Sequence, residues 1–280
     1  MNSTSPIPTP LSETDVKRYE ETGVLFPIIA LDGGELERFR GEVNELEASL
    51  RQAADRTFFG ECHVNFKWAY DLCTHSKILD VIEQIIGPNI LVHSTTLFSK
   101  PPGKKFISWH QDSAYWHLSE PRLVSAWVAL GDSAIENGCM RVQPGTHFSL
   151  LDFTEVLHEN NMLGTGNTVV DGLDESLAID VTLKAGEMSL HHANLLHGSN
   201  ANRSDGNRVG FAIRYVATDV RQGRGHQEVL LARGENRHGN FELLKNPARL
   251  SVSDGIPVHR EFTARLNQRE LDKGATATAA

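Results

Sequence analysis

Trp109-His110-Gln111-Asp112 is the tetrapeptide that carries the most chemistry. In an extended segment residues i and i+2 face the same side, so His110 and Asp112 can present an imidazole and a carboxylate to one point. Far along the chain, Leu195-Leu196-His197-Gly198-Ser199 offers another imidazole after a strand-like apolar pair. Two histidines and one carboxylate on one face of an octahedron leave three positions open, the arrangement used by non-haem Fe(II) oxygenases. A His-x-Asp is unremarked in a chain of 280 residues with 13 histidines, so the pattern needs support from elsewhere.

Support comes from Arg208-Val209-Gly210-Phe211-Ala212-Ile213-Arg214-Tyr215, which alternates strictly. Val209, Phe211, Ile213 and Tyr215 form an apolar face, while Arg208, Gly210, Ala212 and Arg214 form the other. Two arginines separated by the two smallest residues suggest room cleared for a ligand. An inward guanidinium costs several kcal/mol unless an anion or dipole meets it, and a dicarboxylate would meet it in bidentate fashion. The competing reading is an edge strand with ordinary solvent-facing arginines.

These residues need a scaffold. From Ile90 onward short strands are broken by Gly, Pro, Asn and Asp, near 90–100, 106–112, 123–130, 139–143, 178–183, 187–192 and 208–216. Such a grammar predicts a sandwich or barrel. Residues 149–176, with Gly164-Thr165-Gly166-Asn167, read as an insertion and a candidate lid. Residues 1–88 read as mainly helical. Ser12 with Asp15 forms a capping box that opens a helix closed by Gly23. Leu36, Phe39, Val43, Leu46 and Leu50 mark the apolar face of a longer helix. A third, Ser76 to Ile86, stops at Gly87-Pro88. Residues 221–280 read as an extension, with Lys273 to Ala280 a frayed tail. The whole is expected to be one domain.

Composition sets the class. A net charge of −9 argues against a nucleic-acid surface. No apolar run reaches the length of a bilayer span, and MNSTSPIPTPL has neither basic start nor apolar centre to serve as a secretion signal. Three cysteines, Cys62, Cys73 and Cys139, do not suit a disulfide framework; a cytoplasmic location fits best.

Cys62-His63 and Cys73-x-His75 lack the spacing of common zinc fingers. His191 or His192 could replace His197 as ligand, face a substrate, or sit satisfied in the core. Trp116 and His117 are candidates for the mouth of a site, with packing an equal possibility. Gly223-Arg224-Gly225 reads as a solvated turn. Neither a Gly-x-Ser-x-Gly elbow nor a phosphate-cradling Gly-Lys loop occurs.

From Leu91 to Val220 the chain resembles the phytanoyl-CoA dioxygenase family of Fe(II)/2-oxoglutarate oxygenases. The resemblance rests on Trp-His-Gln-Asp, Leu123-Val124-Ser125-Ala126-Trp127, Glu136-Asn137-Gly138-Cys139-Met140-Arg141-Val142, Pro144-Gly145-Thr146-His147, Ala185-Gly186-Glu187, His197-Gly198-Ser199 and the following Arg208. It implies a double-stranded β-helix (jelly-roll, cupin-like) core, mainly β with flanking helices. It implies iron on His110, Asp112 and His197, and Arg208 on the distal carboxylate of 2-oxoglutarate. Gln111, Trp127 and Ser199 match positions lining the cosubstrate site. Arg214, with Trp116 and His117, is expected to shape the iron's surroundings or bind substrate.

The expectation is therefore a dioxygenase that uses Fe(II), 2-oxoglutarate and O2 to hydroxylate a small, polar molecule, releasing succinate and CO2. The resemblance disfavours halogenation, because halogenating relatives have Gly or Ala where Asp112 stands. The rival readings are a non-catalytic metal-binding jelly-roll serving as scaffold or sensor, and a desaturase or halogenase variant of the same iron chemistry.

Overall fold

The computed structural model describes residues 5–50, 58–116, 118–119, 122–163, 167–169, 172–222 and 228–277. The three expected N-terminal helices form. In the first, Glu13–Thr22, Ser12 Oγ accepts from the Asp15 amide and Asp15 accepts in return from the Ser12 amide. Gly23 then ends it at φ 76°, a left-handed conformation that glycine adopts without steric cost. The second, Gly33–Leu50, starts at a reciprocal pair between Asp32 and Glu35 and buries Phe39, Val43 and Leu46. The third is Ser76–Ile86.

Residues 1–88 hold more than helices. Val24–Ile29 pairs antiparallel with Glu187–His192, and Phe58–Gly60 pairs with Ile90–Lys100. Both short strands attach to partners distant in the chain, which local periodicity does not reveal.

Among the described residues, eight strands make the larger sheet. Its order runs Val24–Ile29, Glu187–His192, Leu123–Ala129, Arg208–Ala217, Ile90–Lys100, Glu228–Arg233 and Glu242–Leu243, with Phe58–Gly60 beside Ile90–Lys100. Four strands make the smaller sheet, in the order Ile107–His110, His197–Ser199, Met140–Val142 and Ile179–Val181. This is the double-stranded β-helix expected.

Arg208–Ala217 lies between two strands of the larger sheet, so the edge-strand reading of its arginines fails. Phe211, Ile213 and Tyr215 face the helices in the main core, where Trp68 meets Phe211 edge-on at 5.0 Å and the Tyr215 hydroxyl donates to Cys73 O. Ala212, on the opposite face, joins Phe98, Trp127, Met140, Val142 and Leu195 in a smaller cluster.

In the insertion Phe153–Glu155 pairs antiparallel with Asn167–Val169, followed by a short turn of helix at Glu175–Leu177; Gly164, Thr165, Gly166, Val170 and Asp171 lie outside the described residues. The C-terminal extension is built of regular elements where it is described. Glu228–Arg233 widens the larger sheet, and Val252–Ala277 is a helix, which takes in Lys273 to Ala277 of the expected tail. Its Gly255 comes so close to Phe66 that a Cβ would sit 2.7 Å from the ring. His259 is buried between Phe59 and Phe66 and bonds Asn65. Gly223, Arg224 and Gly225 also lie outside the described residues.

Candidate metal and cosubstrate site

The smaller sheet assembles the triad. Ile107–His110 and His197–Ser199 run antiparallel with His110 directly opposite His197, and their ring centroids are 4.1 Å apart. Gly198 lets the backbones close in, since a Cβ there would lie 3.0 Å from Ile107 O. Asp112 follows the first strand and turns Oδ1 to 3.6 Å from His110 Nε2 and 3.9 Å from His197 Nε2. The three ligand atoms all lie within 4.8 Å of one another, and no other such group of His, Cys, Asp or Glu occurs among the described residues. Cys62, Cys73, His63 and His75 thus form no zinc site there.

The donor set fits a divalent ion. His110 Nδ1 donates to Ser108 O and His197 Nδ1 to Leu195 O, each at 2.8 Å. Those bonds place the proton on Nδ1 and leave Nε2 as a lone-pair donor aimed at the common point. Burial pushes the Asp112 carboxyl up, but the His110 imidazole and the Arg214 guanidinium outweigh it and hold the group well below the usual carboxylate range. Burial, with His110 alongside, drives the His197 imidazole well down. An ionised Asp112 carboxylate beside a neutral His197 imidazole suits metal binding.

The outer oxygen of Asp112 is held as well. Oδ2 accepts from Ser125 Oγ at 3.4 Å and lies 3.9 Å from both His191 Nε2 and Arg214 Nε. His191 therefore stands behind the carboxylate rather than in the triad, and burial lowers its pKa to about 4. His192 points elsewhere, accepting from the Asn194 amide near His147.

A cavity joins the triad to Trp127, Ser199, Arg208 and Arg214. Arg208 is 2% exposed and donates to Gly138 O at 2.7 Å, while its Nε has no hydrogen-bond partner among the described residues. Burial pulls its pKa down to about 10. The room beside Gly210 is taken by protein: a Cβ would lie 2.0 Å from Trp127 Cζ2. The small residue makes space for an indole, whose ring centroid then sits 5.2 Å from the Arg208 guanidinium carbon. The expectation of ligand space at that position is corrected accordingly.

Gln111 is also placed differently from its expected position against the cosubstrate. Its amide nitrogen donates to Ser149 O and Asn194 O, and its oxygen accepts from the Leu151 amide at 2.7 Å. The side chain is committed to the root of the insertion. Arg214 donates to Thr96 Oγ1 at 2.6 Å and lies 5.8 Å from the Trp116 ring. His117 lies outside the described residues.

Lys100, which belongs to none of the sequence motifs above, also stands at the Ser199 end of the site. Fully buried, it donates to Ser199 Oγ at 2.5 Å and to Asn200 O at 2.7 Å. It sits opposite Arg208 in the sheet register, and burial, with the charge of Arg208, pulls its pKa down to about 6. The signal was available: counting by two along 90–100 puts Lys100 on the face of Phe98 and Thr96.

Jelly-roll fold, facial triad and buried cationic end together define a non-haem iron oxygenase architecture. The sequence profile of the family "Phytanoyl-CoA dioxygenase (PhyH)" matches residues 19–210. The chain belongs to this family of Fe(II)- and 2-oxoglutarate-dependent oxygenases. It is 27% identical over 167 residues to a probable alpha-ketoglutarate-dependent hypophosphite dioxygenase from Stutzerimonas stutzeri, covering 56% of either chain. It is 29% identical over 239 residues to the ectoine dioxygenase of Halomonas elongata, covering 76% of this chain and 72% of that one. The solved structure of the non-heme monooxygenase ThoJ in its apo form superposes with a TM-score of 0.72 at 29% identity, covering 91% of this chain and 99% of that one. No described helix is long and apolar enough to cross a membrane.

Proposed function

We propose that the protein is a 2-oxoglutarate-dependent dioxygenase that hydroxylates a C–H bond of a small, polar molecule, with succinate and CO2 as coproducts. His110, Asp112 and His197 would hold Fe(II), leaving three adjacent coordination positions for the 2-oxo acid and O2. When bound, the metal supplies O2 activation and the oxidative decarboxylation of the cosubstrate.

The chain's own residues do the rest. Arg208 lines the cavity and shares the Gly138 carbonyl with Lys100; the two would take the distal carboxylate, with Ser199 orienting the ammonium group and Trp127 walling the cosubstrate. Ser125, His191 and Arg214 fix the outer oxygen of Asp112. Because Asp112 occupies its position as a carboxylate, hydroxylation is favoured over halide transfer. The observation that carries the reading is the buried Arg208 beside the triad, lacking an ion pair among the described residues; a metal-binding scaffold has no use for an inward cationic clamp.

Size supports the substrate class: two known relatives are named for hypophosphite and ectoine, both small and polar. The test is succinate release from 2-oxoglutarate with Fe(II) under air, with and without a panel of such compounds. Substrate-stimulated succinate and a hydroxylated product are expected. Failure to bind 2-oxoglutarate would leave the scaffold reading in its place.

A further inference from the structure

The insertion makes a second, specific contact with the iron-bearing strand. Before Gly164 the chain runs back along Ile107–His110. The Phe106 amide donates to Asn160 O at 2.9 Å and the Met162 amide to Phe106 O at 2.8 Å. Asn161 uses its whole side chain there: Nδ2 donates to Ser108 Oγ at 3.0 Å, and Oδ1 accepts from the Ser108 amide at 3.3 Å and the Leu163 amide at 3.2 Å. The His158 ring meets Phe106 at 5.3 Å, and Met162 packs on the smaller core cluster. Leu163, two residues past Asn161, lines the cavity that contains His110 and His197.

From this geometry we propose that Leu163 is a specificity-determining wall of the iron cavity, limiting the bulk admitted beside the metal, and that Asn161 is the positioning residue that seats it. The proposal rests on the oxygenase reading for its consequence, but its geometry does not. A strap held only by backbone bonds would slide. An amide bonded to both the N–H and the hydroxyl of Ser108 sets its register, because a shift of the strap breaks both hydrogen bonds at once. Ser108 O also accepts from His110 Nδ1, so the strap is referenced to the same residue that orients a ligand. The exposed outer residues of the insertion, such as Leu157 at 79%, contrast with the half-buried Leu163.

Thiol labelling of the full-length protein tests the seating. The three native cysteines are buried, so Leu163→Cys and Leu157→Cys can be compared directly. Leu163→Cys is expected to label slowly, and adding Asn161→Ala should speed it about tenfold or more through local opening. Labelling as fast as Leu157→Cys, or indifferent to Asn161→Ala, would overturn the seating.

The gauge is tested with Ni(II) in place of Fe(II), by titrating N-oxalylglycine and the bulkier pyridine-2,4-dicarboxylate. Leu163→Trp should weaken the bulky chelator about tenfold more than the small one, whereas Leu163→Ala should not. Equal changes for both chelators would sink the gauge. Loss of all chelator binding in the unmutated chain would instead refute the oxygenase reading, and the labelling result would stand apart from it.

Discussion

Lys100 and Arg208 face each other across two antiparallel strands, both buried, and neither forms an ion pair among the described residues. Two cations held together away from water are unfavourable until an anion joins them. The protein relieves part of the strain by discharging one of them, which is why the Lys100 pKa falls to about 6.

Proton uptake on cosubstrate binding follows. Near pH 8 the free protein holds Lys100 largely neutral, and a dianion arriving between the two groups favours the charged form. Binding of 2-oxoglutarate should therefore take up about one proton near pH 8, and the uptake should fade as pH drops through about 6, where Lys100 is already charged. Calorimetry in buffers of different ionisation enthalpy reads it directly. Lys100→Met should abolish the uptake; unchanged uptake in that variant would refute the assignment.

Arg208 and Arg214 share a strand face but differ in surroundings. Six positions apart along an extended strand, their Cα atoms are roughly 20 Å from each other. Arg208→Ala should raise the Kd for 2-oxoglutarate on the order of a hundredfold, the loss of a charge-assisted contact. Arg214→Ala should leave that Kd within about threefold and lower turnover instead, because Arg214 lies beside the outer oxygen of Asp112. Equal effects on cosubstrate affinity would remove the distinction.

Asp112→Ala should abolish hydroxylation and weaken metal binding, with the cationic end of the cavity untouched. Metal titration followed by product analysis checks both. Product formed at the wild-type rate would mean that another group holds the metal.

Gly210→Ala should destabilise the protein by about 1–3 kcal/mol through overpacking, because the new methyl would lie 2.0 Å from the Trp127 ring. Thermal unfolding measures the loss, and the indole, once displaced, should also shift cosubstrate affinity. A variant as stable as the parent would show that Trp127 has room to move.

Period-2 alternation is a local property, so the two faces of 208–215 and the shared direction of His110 and Asp112 were legible from residues alone. So were the Ser12–Asp15 cap and the helix ending at Gly87, whose signals lie within a few positions of each other. The pairing of Val24–Ile29 with Glu187–His192 was not, because an apolar run does not name its distant partner.

The same limit explains the residues that changed role. Gly210 was visibly small, but only the packed structure shows that Trp127 fills the space. Gln111 was visibly next to both ligands, yet its amide goes to backbone groups at Ser149, Leu151 and Asn194. Sequence by itself determined which side chains could carry the chemistry and which face each would take within its strand. Tertiary structure decided which of them meet, because contacts between distant segments depend on how two sheets stack, and neither sheet contains that information in its own repeat.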